Sequence, residues 1–258
     1  MKPQTTHIHV RKAVAVTDSF IGFGIIMGRH CPILGALPEV TGSTIMKRGM
    51  NPGHSHRLPR GLYLITPEDP DDARLLARVV PLLPHVACLQ YRNKLGGAVQ
   101  RQRQAQELRL ACHDARVPFI VNDDAVLAAE VCADGVHLGE HDGAITAARR
   151  LLGPNAIVGV SCYADASLAQ RAAAAGADYL AFGAFFLSTT KPAARRASIS
   201  LLRETQALGL PQVAIGGITP DNGRIVIAAG AELIAVISGV FDAPDPLATI
   251  RAYAALFD

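Results

Sequence analysis

Short apolar runs alternate with longer amphipathic stretches from residue 61 to the end of the chain. The apolar runs, rich in Val, Ile, Leu and Ala, predict buried β-strands, and the stretches between them predict helices. The predicted strands are 61–66, 86–91, 118–121, 135–138, 157–160, 179–182, 212–215 and 233–237. The predicted helices are 71–83, 98–115, 125–132, 144–152, 167–175, 198–208, 222–229 and 247–257.

This alternation predicts eight strand–helix units and therefore a parallel sheet. No Gly-rich nucleotide-binding loop follows the first predicted strand, which favours a closed barrel over a doubly wound sheet. Gly176, Gly209 and Gly230 each follow a predicted helix, where glycine commonly ends helices. We expect an α/β protein in which residues 59–258 form a single (β/α)8 TIM barrel.

Residues 1–58 lack this periodicity. Three interpretations compete: a poorly ordered tail, a targeting peptide, or translated sequence ahead of a true start at Met46 or Met50. We expect a poorly ordered and dispensable N-terminal extension.

Composition and charge limit the kinds of molecule that this protein is expected to bind. Half of the residues are hydrophobic and 18% are charged, which suits a large core. Residues 1–60 hold eight Lys and Arg against two acids, which leaves 17 of the 25 basic and 20 of the 22 acidic residues for the remainder. The barrel is therefore not a basic nucleic-acid binder. No apolar run is long enough to span a membrane, and five cysteines without a CxxC pair favour reduced thiols in a cytoplasmic protein.

Polar residues cluster directly after the predicted strands, where the active site of a barrel lies. Alone, each has an ordinary structural interpretation: Asp123 or Asp142 could cap a helix, and His137 could be a hydrogen-bonded core residue. Their shared position at one rim favours a functional site. These residues are Gln90, Arg92, Lys94, Asn122, Asp123, Asp124, His137, Glu140, His141, Asp142, Ser161, Ser188, Thr189, Thr190, Lys191, Gly216, Gly217 and Ser238.

Part of this rim is suited to phosphate. The segment 183–191, GAFFLSTTK, opens from a strand into hydroxyl side chains and ends in Lys191. Hydroxyls, free backbone N–H groups and a lysine can hold phosphate oxygens. Arg92 and Lys94 add positive charge, and the glycines at 216–217 follow the seventh strand, a usual phosphate position in barrels. We expect one diphosphate and one monophosphate partner.

Asp123 and Asp142 follow adjacent predicted strands, which lie about 4.8 Å apart. Two carboxylates that close repel each other unless a cation lies between them. Mg²⁺ prefers one or two carboxylates together with waters and substrate phosphates. The acid pair therefore predicts a Mg²⁺ site.

Seven segments together resemble the thiamine phosphate synthase family, over roughly residues 60–258 and in the same order. They are QYRNK at 90–94, VNDD at 121–124, ADGVHLGEHD at 133–142, GVS at 159–161, GAFFLSTTK at 183–191, IGGI at 215–218 and VIS at 236–238. The resemblance implies an enzyme that joins 4-amino-2-methyl-5-(diphosphomethyl)pyrimidine to a thiazole phosphate and releases diphosphate.

The resemblance also implies roles for particular residues. The pyrimidine diphosphate would be held by Gln90, Tyr91, Arg92, Asn93, Lys94, Asn122, Ser161 and Lys191. The thiazole phosphate would be held by Ser188, Thr189, Thr190, Gly217, Ile237 and Ser238. Asp123 and Asp142 would bind one Mg²⁺ per subunit. Catalysis would depend on Arg92, Lys94, Ser161 and Lys191.

The chain departs from the family pattern at two places. The family usually has Gln-Glu-Asp where this chain has Glu140-His141-Asp142, and Pro-Thr where it has Leu187-Ser188.

The alternatives to a synthase are a barrel resembling a thiazole tautomerase, a non-catalytic binder of phosphorylated thiamine precursors, and another phosphate-binding barrel. We expect small-molecule substrates, no nucleic-acid or membrane partner, and a possible homo-oligomer.

Overall fold

The computed structural model describes residues 58–140, 143–187 and 196–258. Eight parallel strands form a closed barrel, in which each strand pairs with the next along the chain and the eighth pairs with the first. The strands are β1 (Gly61–Ile65), β2 (Cys88–Tyr91), β3 (Phe119–Asn122), β4 (Gly135–Leu138), β5 (Ile157–Tyr163), β6 (Tyr179–Gly183), β7 (Gln212–Ile215) and β8 (Leu233–Val236). The predicted TIM barrel is confirmed.

Helices follow the strands in the order that the sequence predicts. They are α1 (Asp72–Val79), α2 (Ala98–Ala115), α3 (Ala125–Glu130), α4 (Ile145–Leu152), α5 (Ala166–Ala174), α6 (Ile199–Glu204), α7 (Gly223–Ala228), α8 (Ser238–Phe241) and α9 (Pro246–Ala254). The short helix α8 was not predicted. The first predicted helix, 71–83, is also too long. Residues Val80–His85 form a 3₁₀ helix instead, and Pro81, which lies within the predicted range, has no N–H to continue an α-helix.

Side chains alternate between the two sides of each strand, as the pleat requires. The inner cluster, inside the barrel, contains Leu58, Tyr63, Ile65, Ala87, Cys88, Ile120, Ile157, Tyr179, Ala181, Val213, Leu233 and Ala235. The intervening strand residues pack outward against the helices. The strands therefore have two buried faces, which explains why they appear in the sequence as continuous apolar runs.

The start of the barrel differs slightly from the predicted boundary. Leu58 is 3% exposed and belongs to the inner cluster, so barrel packing includes a residue that we assigned to the extension. The remaining prediction for that extension lies outside the described residues. Cys88, Cys112 and Cys162 are free and buried, as expected for these three cysteines. Across the described part of the chain, no helix is both long and apolar enough to cross a membrane.

Candidate active site

A chain of hydrogen bonds crosses the barrel interior and ends at its mouth. Gln90 Nε2 donates to the Tyr63 hydroxyl at 2.9 Å, and that hydroxyl lies 2.7 Å from the Tyr179 hydroxyl. Tyr179 lies 2.9 Å from His137 Nδ1, and His137 Nε2 lies 2.8 Å from Ser161 Oγ. We call these five residues the interior chain. Their strands, β2, β1, β6, β4 and β5, come from both halves of the barrel.

Gly159 makes room for the residues of the interior chain. A Cβ atom at Gly159 would lie 1.9 Å from Cζ of Tyr179, so any side chain there would displace the tyrosine ring. That ring lies parallel to the His137 ring, with centroids 5.6 Å apart, and edge-on to the Tyr63 ring at 5.8 Å. The family-like segment GVS thus supplies both the space for Tyr179 and the serine that ends the chain.

Burial keeps the titratable members of the interior chain uncharged. It raises the pKa of Tyr63 and of Tyr179 well above the ordinary value. It lowers the pKa of His137 to about 4, although the negative charge of Asp123 acts in the opposite direction. Sequence reasoning proposed Gln90 and Ser161 but missed both tyrosines, because each lies inside an apolar run.

Asp123 and Asp124 have separate roles. Asp124 caps α3, since its Oδ1 accepts from the N–H of Leu127 at 2.9 Å. Asp123 has a left-handed backbone, with φ of 65°, and its N–H donates to the His137 carbonyl at 2.8 Å. Its Oδ2 lies 2.9 Å from Lys94 Nζ. The interpretation of Asp123 as the helix cap is therefore wrong.

Glu68 and Thr66 organise the residues that follow β2. Glu68 Oε1 accepts from Arg92 Nη1 and from the backbone N–H of Lys94, both at 3.0 Å. Thr66 Oγ1 accepts from the Arg92 N–H at 2.9 Å and donates to the Arg92 carbonyl at 3.2 Å. These contacts hold two cationic residues at the mouth. The sequence contained a signal for them, because TPE directly follows the first strand.

Tyr91 and Asn93 contact helix α2 instead. The Tyr91 hydroxyl and Asn93 Nδ2 both donate to Gln104 Oε1 at 2.9 Å, and Asn93 Oδ1 accepts from the Gly96 N–H at 2.7 Å. Since Gln90 points inward, strand alternation turns Tyr91 outward, and burial there raises its pKa to about 12. The structure therefore does not bring the predicted side chains of Tyr91 and Asn93 to the interior.

The loop after β7 packs against the segment that follows β6. Gly216 and Gly217 have φ values of +99° and +63°, which glycine adopts readily. A Cβ atom at Gly217 would lie 2.3 Å from the carbonyl oxygen of Leu187. The Phe186 N–H donates to the Gly216 carbonyl at 2.9 Å. The glycine pair is thus required for close approach of the two loops.

Tyr253 of α9 joins the ends of β7 and β8. Its hydroxyl donates to the Ile218 carbonyl at 2.8 Å, and a Cβ atom at Gly239 would lie 2.6 Å from that hydroxyl. Ile237 and Ser238, which were predicted to bind a phosphate, immediately precede Gly239. The tyrosine was missed because nothing in an amphipathic helix identifies which residue reaches a loop.

Several predicted site residues lie outside the described residues, namely His141, Asp142, Ser188, Thr189, Thr190 and Lys191. Their roles remain predictions, and so does the proximity of Asp123 to Asp142. Asn122 ends β3 beside His137, where it is half-buried. Of the two departures from the family pattern, Glu140 is exposed and Leu187 is 75% exposed, so neither side chain is part of the core.

Comparison with known proteins identifies the family. Residues 62–240 match the sequence profile described as thiamine monophosphate synthase. The chain belongs to this family. It is 59% identical over 198 residues to the thiamine-phosphate synthase of Xanthomonas campestris pv. campestris (strain 8004), covering 77% of this chain and 96% of that protein. It is 56% identical over 200 residues to the thiamine-phosphate synthase of Azoarcus sp. (strain BH72), covering 77% and 97%.

A solved structure of the thiamine monophosphate synthase family agrees. The thiamine phosphate pyrophosphorylase from Pyrococcus furiosus superimposes with a TM-score of 0.68 at 33% sequence identity, covering 76% of this chain and 95% of that chain. The resemblance drawn from seven segments is confirmed at the level of family and fold. It also covers the barrel and not the N-terminal residues, since the family profile begins at residue 62.

Proposed function

We propose that this protein is a thiamine-phosphate synthase, which joins 4-amino-2-methyl-5-(diphosphomethyl)pyrimidine to a thiazole phosphate and releases diphosphate. The observation that carries this conclusion is the 59% identity to a protein of that name, of which this chain covers 96%. The matching family profile spans residues 62–240, a range that includes the ends of all eight strands, where the chemistry of a barrel lies.

The β2 end is suited to the diphosphate. Arg92 and Lys94 are both accessible, with side chains 25% and 53% exposed. Each is now paired with one carboxylate, Glu68 or Asp123. A diphosphate carries more negative charge than either carboxylate and would compete for both cations. Gln90, Asn122 and Ser161 would contact the remainder of the pyrimidine substrate, as the family resemblance implies.

The position of Asp123 supports the proposal that each subunit binds one Mg²⁺, with Asp142 as the second carboxylate ligand. The Asp123 carboxylate is a hard oxygen ligand that is 28% exposed at the mouth. Within residues 58–140, 143–187 and 196–258, no three His, Cys, Asp or Glu side chains converge on one point. That donor set fits a Mg²⁺ completed by water and substrate phosphates better than a metal in an all-protein cage. When bound, Mg²⁺ would stabilise negative charge on the departing diphosphate.

The reaction we propose is a dissociative substitution. The bond from the pyrimidine methylene to the diphosphate oxygen breaks, and its electron pair leaves with diphosphate. The thiazole nitrogen then donates its lone pair to the cationic methylene carbon and forms the new C–N bond. Arg92 and Lys94, together with Lys191, bind the leaving group, so that catalysis is positional and electrostatic and needs no side-chain nucleophile.

The thiazole phosphate would be held at the ends of the later strands, beside the pyrimidine diphosphate. Gly217, Ile237 and Ser238 follow the paired strands β7 and β8, and the Gly217 carbonyl is held by Asn222 Nδ2 at 3.1 Å. Ser188, Thr189 and Thr190 would complete this site, as the family resemblance implies. Late strand ends are a common phosphate position in barrels.

The decisive experiment measures diphosphate release by the purified full-length chain. A synthase requires both substrates and Mg²⁺, and omission of any one abolishes release. A non-catalytic binder takes up the substrates but releases no diphosphate. A barrel of the thiazole tautomerase type converts its thiazole substrate and leaves the pyrimidine diphosphate intact. Either of these results would overturn the proposal.

A further inference from the structure

The hydrogen bonds of the interior chain all run from donor to acceptor in one direction, from Gln90 to Ser161. This direction follows from the number of hydrogens that each residue can donate. The Tyr63 hydroxyl accepts from Gln90 Nε2 and has one hydrogen of its own to donate. The other partner of that hydroxyl among the described residues is the Tyr179 oxygen at 2.7 Å. A buried hydroxyl hydrogen without an acceptor is costly, so Tyr63 donates to Tyr179.

The same count continues to the mouth. Tyr179 accepts from Tyr63, so its own hydrogen is directed to His137 Nδ1 at 2.9 Å. Nδ1 must then carry a lone pair, which leaves the ring hydrogen on Nε2. Nε2 lies 2.8 Å from Ser161 Oγ and donates to it. Ser161 Oγ therefore accepts from His137, and its own hydroxyl hydrogen remains for donation to a group other than His137.

With Gln90 Nε2 directed toward Tyr63, as in the structure, the other placements of hydrogen leave one hydroxyl hydrogen without an acceptor. With the ring hydrogen on Nδ1, His137 would donate to Tyr179, and Tyr179 would have to donate to Tyr63. Tyr63 would then accept from both neighbours, and its hydrogen would have no acceptor, because Gln90 Nε2 and the Tyr179 hydroxyl are its two hydrogen-bond partners among the described residues. A doubly protonated ring gives the same conflict, and it would still donate from Nε2 to Ser161.

We infer that Tyr179 is a positioning residue, which fixes the direction of hydrogen bonding through the barrel so that Ser161 donates its hydroxyl hydrogen to the pyrimidine diphosphate. This inference rests on the proposed function for the identity of the substrate. The recognised group is a hydrogen-bond acceptor, either a diphosphate oxygen or a pyrimidine ring nitrogen. A reversed chain would present the lone pairs of Ser161 to that acceptor and repel it.

The direction is measurable without any substrate, so this test is independent of the proposed function. Nitrogen-15 NMR of the histidine side chains in the full-length protein reports which ring nitrogen carries hydrogen. The His137 signals are assigned by their absence in His137→Gln. We expect His137 with hydrogen on Nε2 and an unprotonated Nδ1. Hydrogen on Nδ1 with an unprotonated Nε2 would overturn the inference.

Kinetics test the consequence for binding. Tyr179→Phe keeps the ring but removes the hydroxyl, so His137 loses the partner that fixes its tautomer. We expect the KM for the pyrimidine diphosphate to rise roughly tenfold, the usual scale for one hydrogen bond, while the KM for the thiazole phosphate changes little. Ser161→Ala should act in the same way, and the double variant should be no worse than either single one. Fully additive effects, or equal changes in both KM values, would overturn the inference.

A matched control separates this role from the loss of any buried hydroxyl. Thr205 is 2% exposed, and its Oγ1 donates to the Leu201 carbonyl within the helical layer at 2.8 Å. Thr205→Val should leave both KM values and the His137 tautomer unchanged. Binding of inorganic diphosphate and of the phosphate-free pyrimidine alcohol then identifies the acceptor. Weakening of either ligand in Ser161→Ala and Tyr179→Phe supports the inference, and weakening of neither contradicts it.

Discussion

Lys94 Nζ lies 2.9 Å from Asp123 Oδ2, so a cation from the end of β2 meets an anion from the end of β3 at the barrel mouth. The Asp123 backbone is held in a left-handed conformation beside His137, which places its carboxylate on the mouth side of the strand end. Each charge thus stabilises the position of the other. Arrival of a diphosphate and Mg²⁺ would give each a stronger partner.

Asp123→Asn should lower turnover by at least about 10²-fold, the scale of losing a preorganised electrostatic group. The amide keeps the shape but is a poor Mg²⁺ ligand, so added Mg²⁺ should restore part of the activity. Asp142→Asn should behave in the same way. Steady-state turnover against Mg²⁺ concentration measures both effects.

Asp124→Asn is the matched control, because asparagine also caps helices and Asp124 Oδ1 accepts from the Leu127 N–H. It should retain activity at every Mg²⁺ concentration. If Asp123→Asn were as active as Asp124→Asn at limiting Mg²⁺, Asp123 would not be a metal ligand.

Glu68→Ala should raise the KM for the pyrimidine diphosphate about tenfold, because the Lys94 N–H loses the acceptor that fixes the segment after β2. This loss is expected to outweigh the removal of a carboxylate that competes for Arg92 Nη1. Glu68→Gln should fall between this variant and wild type, since its amide oxygen still accepts hydrogen bonds. Glu130→Ala is the control, as Glu130 ends α3 and is exposed. Substrate-dependent initial rates distinguish the three, and an unchanged KM in Glu68→Ala would show that Glu68 does not organise the cations.

The barrel was predictable because its strands are buried on both faces and its helices are regular. The ends of elements were harder to predict. Residues Val80–His85 form a 3₁₀ helix, because Pro81 has no N–H to continue the α-helix, and the periodicity of apolar residues does not reveal that missing donor. The short α8 was missed because four residues are too few to show a helical period.

The location of charged residues at the barrel mouth was predictable from their position after a strand, as at Asp123 and Lys94. The site was not predictable where a contact links distant elements. Tyr63 and Tyr179 are 116 residues apart, and their hydroxyls meet only because the barrel is closed. Tyr91 was predicted to contact the substrate because it belongs to a motif, but its hydroxyl contacts Gln104 of α2. A motif does not indicate on which face of the strand a side chain lies.

Lys191→Ala should lower the rate constant for turnover by about 10²–10³-fold, more than it weakens thiazole phosphate binding. A lysine beside the leaving group gains interaction energy as negative charge develops there, so its contribution appears mainly in the transition state. Lys191→Arg should recover little, because the guanidinium is larger and planar. Kinetics with calorimetric binding of each substrate measure this, and normal turnover with lost thiazole phosphate affinity would assign the lysine to the other substrate.

The burial of His137 predicts that the free energy of unfolding decreases as the pH is lowered through a defined interval. Its pKa in the folded protein is about 4, whereas an unfolded histidine titrates near 6.5. Above about pH 6.5 both states are neutral there, and the folded protein has its full stability. As the pH falls from 6.5 to 4, the unfolded chain takes up a proton that the folded protein does not, which favours unfolding.

His137→Gln should therefore flatten the loss of stability between pH 6.5 and 4, by up to about 3 kcal/mol, since each pKa unit corresponds to about 1.4 kcal/mol. The variant is expected to be less stable than wild type at pH 7, because it disturbs the bonds to Tyr179 and Ser161. The difference between the two proteins should then shrink as the pH falls. His113→Gln is the control, as that side chain is 68% exposed. Urea unfolding at several pH values measures all three proteins, and parallel curves for wild type and His137→Gln would show that His137 does not cause the acid sensitivity.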